Sequence, residues 1–372
     1  MLSFSFPAPV VTFVAFWLHG YAFAFGEHSN FIGTQFFLSL DNTDLVHFFF
    51  NYVRCAVATT VALGTASERT EPVGYLMSAY VFSGFVYPVA CHWVWDQQGI
   101  FNPQSTLYPS HDYAGSGMIF VLGGTAAVVS LRAIGPRAGH KKPHFKKRTG
   151  NPTMMAMGAF LQLLGFLGLV LGAHPRILAA EEGQFLGLYA INLLLAAASG
   201  GLYGLFFQRI YQNNYDLDSL VGGSIAGMVA VCAGVDSYIP GLAVMCGTTA
   251  SFFFFAARVL ISRMQVDDPL NVIPVYLVPG LWGLVYAGLL SDQGTIGGKN
   301  EVFGNNSLVA LILFLWAVLI MHPLLSFFMC FGILRVPLYI EKRGKMNPHW
   351  AAQGQDEMQT EHFCDWTETP EV

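Results

Sequence analysis

The sequence predicts an all-α polytopic membrane protein of about ten transmembrane helices, and three observations carry that prediction. Of its 372 residues 54% are hydrophobic and only 11% charged, against about 25% charged in an ordinary soluble domain. Mean hydropathy is +0.49. Several separate apolar runs reach the ~18–20 residues needed to cross a hydrocarbon core. Only helices and closed barrels satisfy their backbones in lipid, and these runs do not alternate as barrel strands do.

Taken in order, the first run, 5–26, has no basic segment before it and no small-residue cleavage site, so no cleaved signal peptide is expected. The second, 45–66, is apolar except for Arg54, a residue that costs at least ~2.5–3.5 kcal/mol within a span. The third, 73–95, closes on Trp95, and the fourth, 112–133, opens on Asp112 and is rich in small residues from Gly115 to Gly124. Runs at 152–173, 184–207 and 218–236 follow, the last two carrying Ala196, Ala197, Ala198, Gly200, Gly201, Gly222, Gly223 and Gly227 at close helical spacing. Such faces let membrane helices approach closely. The remaining runs are 240–262, 270–291 and 307–334, which makes residues 1–338 a membrane domain and 339–372 a polar tail.

Lysine and arginine divide unevenly between alternate loops. One set holds Arg69, the group from Arg137 to Arg148, Arg209, Arg263 and the tail residues Lys342, Arg343 and Lys345; the other holds only Arg176 and Lys299. Cytoplasmic loops carry the excess, so both termini are expected in the cytoplasm. The basic run "GHKKPHFKKR" reads as a topology-setting loop that also suits anionic lipid headgroups, and no nucleic-acid partner is expected. Six cysteines lack any CxxC spacing and read mostly as small core residues. The eleven histidines show no HExxH or paired metal spacing, so neither a metal, a cofactor nor an enzymatic activity is expected.

Asp112 is followed eight residues later by Phe120, and Asp268 eight residues later by Tyr276. The two helices run antiparallel in this count, and eight residues rise roughly 12 Å. That brings both aromatic rings to similar depth, as an inverted repeat would. The same aspartates also read as N-caps and the rings as core aromatics.

Six stretches in order then give the sequence its resemblance: "HGYAFAFGEHSNFIG", "ASERT", "GFVYPVACHWVW", "DYAGSGMIFVLGGTAAVVSLRAIGPR", "GGSIAGMVAVCAGVDSYIPG" and "VDDPLNVIPVYLVPGLWG". Across roughly residues 15–338 the chain resembles the ammonium transporter family (Amt/Mep/Rh), most closely its Amt branch. The resemblance implies an inverted five-helix repeat plus a last helix, a homotrimer or hetero-oligomer, a plasma-membrane location, and ammonium or ammonia as substrate. It also implies that the family's first helix is absent here. Asp112 and Trp95 match the family's outer recruitment site. Arg54 aligns near its phenylalanine gate, where it would repel ammonium or else snorkel to the outer surface. Phe120 and Tyr276 align with the family's two pore histidines. A phenylalanine has no donor or acceptor and a tyrosine has a pKa near 10, so a histidine relay cannot run through them. Two functions are therefore open: an ammonium or ammonia conductor with an altered pore, or a transport-inactive relative acting as sensor, scaffold or hetero-oligomer subunit.

Overall fold

A computed structural model describes residues 7–27, 29–39, 43–137, 151–174, 182–264 and 266–337. The basic run through 148, Arg176 and the tail 339–372 lie outside them. The described residues hold nine helices long and apolar enough to span a membrane, and a shorter tenth. We label them α1 (Ala8–Phe25), α2 (Leu45–Gly64), α3 (Pro72–Trp95), α4 (Ser116–Ile134), α5 (Pro152–Gly172), α6 (Gly183–Gln212), α7 (Leu217–Val231), α8 (Pro240–Arg263), α9 (Ile273–Leu290) and α10 (Asn300–Cys330). Among the described residues the sole β feature is one antiparallel bridge between Thr70 and Arg335.

The expected seventh span, 218–236, is thus only 15 residues of helix. Its C-terminal end has another task. Past Val231 the chain turns, and the carbonyls of Cys232 and Ala233 accept from the N–H groups of Ala114 and Tyr113 at 2.9 and 3.0 Å. Continued helix would have kept those carbonyls for itself. The last helix, in contrast, starts at Asn300, seven residues ahead of the hydropathy boundary at 307.

The small-residue faces are used as their spacing suggests. A Cβ on Gly200 would overlap the carbonyl of Gly223, and one on Gly227 would overlap the carbonyl of Ala196. So α6 and α7 touch backbone to backbone, which in a membrane replaces the hydrophobic drive as the source of association. Cys55, Cys91, Cys232 and Cys246 are buried as expected, but Cys330 is exposed, because α10 buries a different face.

The two suspected repeat helices match in detail. Each opens on a π-helical turn, Ser116–Val121 in α4 and Ile273–Leu277 in α9. Each then continues as thirteen residues of α-helix, Leu122–Ile134 and Val278–Leu290. A π turn widens the helix and displaces one residue from the regular face, and such turns gather at functional positions. Phe120 and Tyr276 both sit within them.

Below this pair, Asp267 gathers two arginines. Arg137 Nη2 reaches its Oδ1 at 2.7 Å and Arg69, 1% exposed, reaches its Oδ2. The segment after α10 is tied to the same loop, since Leu334 O accepts from Glu71 N and Arg69 O accepts from Val336 N, each at 2.9 Å. Burial raises the Asp267 carboxyl, but hydrogen bonds from Arg137 and the two guanidinium charges outweigh it and hold the group below its ordinary range.

Candidate functional site

The loop ahead of α4 is built around Asp112. Gly115, at φ +95°, turns the chain through the left-handed region that glycine enters most easily. That turn aims the N–H groups of Gly117 and Met118 at Asp112 Oδ2, both at 2.9 Å. The carboxylate therefore caps the helix, as one of its two expected readings held. Asp268 does the same for α9, accepting from Ile273 N at 2.9 Å while its other oxygen accepts from Thr65 Oγ1 at 2.9 Å.

Capping uses only one Asp112 oxygen. Oδ1 is buried and has no hydrogen-bond partner. The main-chain oxygen accepts from Trp95 Nε1 at 2.8 Å, which fixes the indole over the start of α4. Trp95 and Asp112, expected together from the resemblance, are thus in direct contact.

Arg54 completes this group. It is 7% exposed, so its side chain does not snorkel to the surface. Its guanidinium carbon lies 4.2 Å from the Trp95 ring centroid and 4.4 Å from that of Phe50. Nη2 donates to the carbonyl of Tyr113 at 3.3 Å, and Nε is buried without a partner. No carboxylate forms an ion pair with Arg54 among the described residues. Its compensation comes from two aromatic faces, each worth about 0.5–2 kcal/mol as a cation–π contact.

Eight residues beyond Asp112, Phe120 is 1% exposed and stacked on both sides. Its ring centroid lies 5.8 Å from that of Tyr276, with planes 16° apart, and 5.4 Å from that of Phe166, with planes 18° apart. The stack Tyr276–Phe120–Phe166 ties α9, α4 and α5 together. The Tyr276 hydroxyl accepts from Gln162 Nε2 at 2.8 Å, so it is anchored to α5. Phe166 and Gln162 were not singled out in the sequence. The only signal was a lone amide within an otherwise apolar span, the kind of residue that commonly finds an interhelical partner.

A second group, also missed, sits beside the Asp112 loop. His111 Nε2 is 2.9 Å from Asp236 Oδ1, and His111 N donates to Asn306 Oδ1 at 2.8 Å. Asn306 Nδ2 returns a bond to His111 O at 3.1 Å and another to Leu284 O at 2.9 Å. Burial alone would lower the imidazole pKa, but the Asp236 charge and hydrogen bond reverse this and raise it. A cleft of about 540 Å³ opens alongside, lined by Ser110, His111, Lys299 and Glu301 among others. No cluster of three or more metal-ligating side chains occurs among the described residues.

Comparison with known proteins places the fold and the family. A family model described as "Ammonium Transporter Family" matches residues 1–353. The chain is 29% identical over 364 residues to ammonium transporter 1 member 3 of Solanum lycopersicum, covering 88% of this chain and 79% of that protein. It is 28% identical to ammonium transporter 1 member 2 of Oryza sativa subsp. japonica, covering 88% and 74%. Among solved structures, a protein titled "Sensor Amt Protein" superposes with a TM-score of 0.81 at 24% identity, over 91% of this chain and 87% of its own. Mep2 of Saccharomyces cerevisiae superposes with a TM-score of 0.80 at 22% identity, over 89% and 78%. At those identities the superpositions establish the fold, and the family model with the sequence relatives establishes the kinship. This chain, a helical integral membrane protein, belongs to the ammonium transporter family.

Proposed function

We propose that this protein moves ammonium nitrogen across a membrane as neutral ammonia, through a pore lined by aromatic rings in place of a histidine pair. The observation that carries the reading is the Tyr276–Phe120–Phe166 stack at the crossing of the repeat helices. In such a stack the ring faces are turned to one another and the one hydroxyl, on Tyr276, is already bonded to Gln162, so a dehydrated ammonium ion would go largely uncompensated, and that is costly by many kcal/mol in an apolar interior. Neutral ammonia pays far less. Trp95 and the unpartnered Asp112 Oδ1 supply an aromatic face and an acceptor where the cation would give up its proton. Passage needs one ring of the stack to swing aside. Arginine and lysine asymmetry supports both termini lying in the cytoplasm, and the family supports a plasma-membrane location and assembly as a homotrimer or hetero-oligomer.

The test is growth on low ammonium in cells stripped of their own ammonium transporters. Restored growth, lost when a bulkier ring at Phe120 blocks the stack, is the expected result. Failure to restore growth despite verified membrane insertion contradicts the proposal. One observation favours the second reading, a transport-inactive sensor, scaffold or hetero-oligomer subunit: the stack has no titratable imidazole and is closed by three rings in continuous contact. Substituting histidine at both Phe120 and Tyr276 distinguishes them. Gain of flux in the double variant of an inactive wild type supports loss of a former transport path.

A further inference from the structure

We infer that Phe50, Trp95 and the Asp112 loop form a cation cage whose resident is the chain's own Arg54, so that external cations enter only by displacing a tethered guanidinium. This deepens the transport proposal and rests on it for the role of the site, but it makes a separate claim about occupancy. The geometry is that of a filled site. A planar cation lies over two aromatic faces at 4.2 and 4.4 Å from their centroids. One amino group donates to a main-chain carbonyl.

The surroundings are built for positive charge beyond what Arg54 uses. Asp112 Oδ1 and Asn51 Oδ1 are buried acceptors without partners, and Asn51 lies one turn before Arg54 on α2. Tyr87 and Asp112 lie within electrostatic reach of the guanidinium, and the Tyr87 hydroxyl is likewise buried and unpartnered. An arginine fixed there stays charged at every physiological pH. It therefore acts as a constant occupant and not as a pH-operated gate. Its tether gives it a high effective concentration at the cage, which a free cation must overcome. The consequence is specificity. Ammonium and small organic cations reach the Trp95 face only against that competition, at a higher concentration than an open face would need, while an uncharged molecule meets none.

The experiment titrates full-length detergent-solubilised protein with millimolar guanidinium chloride, against sodium chloride at matched ionic strength, and follows tryptophan fluorescence. Wild type should give no saturable response. Arg54→Ala and Arg54→Gln should each gain one, at least about tenfold tighter than any wild-type response, the scale of a cation–π contact. Adding Trp95→Leu should abolish the gain, which assigns the signal among the seven tryptophans. Arg54→Gln removes the charge but keeps a polar side chain longer than alanine's, so it carries the test should the alanine variant fail to fold by size exclusion. A wild-type response equal to that of either variant overturns the inference, as does a folded variant with no response. Flux at the level of empty vesicles together with a gained response overturns the transport proposal alone. Wild-type flux without a gained response overturns the cage alone.

Discussion

Replacing Asp112 separates its two roles, because alanine removes both the cap and the charge while asparagine removes only the charge. In Asp112→Ala the N–H groups of Gly117 and Met118 lose the oxygen they share. Each orphaned buried donor costs about 1–3 kcal/mol, or roughly 2–6 kcal/mol for both. Part of that returns, because a carboxylate only 3% exposed no longer has to be desolvated. A net loss of about 2–4 kcal/mol remains. In Asp112→Asn an amide oxygen can take the same two bonds, and asparagine caps helices about as well as aspartate, so the loss stays under about 1 kcal/mol. The assay is unfolding of the purified protein in detergent, by heat and by denaturant, followed through intrinsic fluorescence. Alanine should unfold well before wild type and asparagine close to it. Equal destabilisation by the two refutes the capping argument, since it would mean that the charge itself holds the loop. Where asparagine folds normally, reduced ammonium uptake isolates the role of the charge.

Three further outcomes follow from the same geometry. Phe120→Ala removes the middle ring of the stack and should cost about 3 kcal/mol, the low end for buried phenylalanine because lipid offers less hydrophobic drive than water; denaturant unfolding checks this, and ammonium uptake should rise if the ring is the barrier. Asp267→Ala takes the carboxylate from between Arg69 and Arg137, and breaking the buried pair with Arg69 should cost about 3–5 kcal/mol, read by the same unfolding assay. The His111 imidazole has a raised pKa, so its stabilising pair with Asp236 is fully present below the ordinary histidine value of 6.5 and is lost as pH rises through the folded value. A pH series of unfolding midpoints should show that loss in wild type and a flattened profile in Asp236→Asn, with Asp112 and Lys299 as the other charges bearing on the ring.

The fold was legible because it depends on quantities a sequence carries in one dimension. Apolar length placed nearly every helix, and small-residue spacing anticipated the contact of α6 with α7 at Gly200 and Gly223. Hydropathy misplaced the end of α7 because Cys232 and Ala233 are as apolar as a helix requires. Their carbonyls are diverted by a loop more than a hundred residues earlier in the chain. The site was legible by halves. Asp112, Trp95, Arg54, Phe120 and Tyr276 could be named from their positions, and the structure brings the first three together and stacks the last two. The direction of Arg54 could not be read, because a long side chain in a span can turn outward to water or inward to aromatic faces. Trp95, forty-one residues later, decides it. Phe166 was invisible for a similar reason, with only the lone amide of Gln162 as a clue: the rest of α5 is so evenly apolar that no periodicity shows which face meets Phe120.

The most direct test of the account is stopped-flow measurement of internal pH in proteoliposomes given an inward ammonium gradient, with current recorded on a supported membrane from the same preparation. Neutral ammonia entering the vesicles takes up protons, so the account predicts interior alkalinisation faster than in protein-free liposomes, without current. A rate equal to protein-free liposomes, or a sustained ammonium-dependent current, would contradict it.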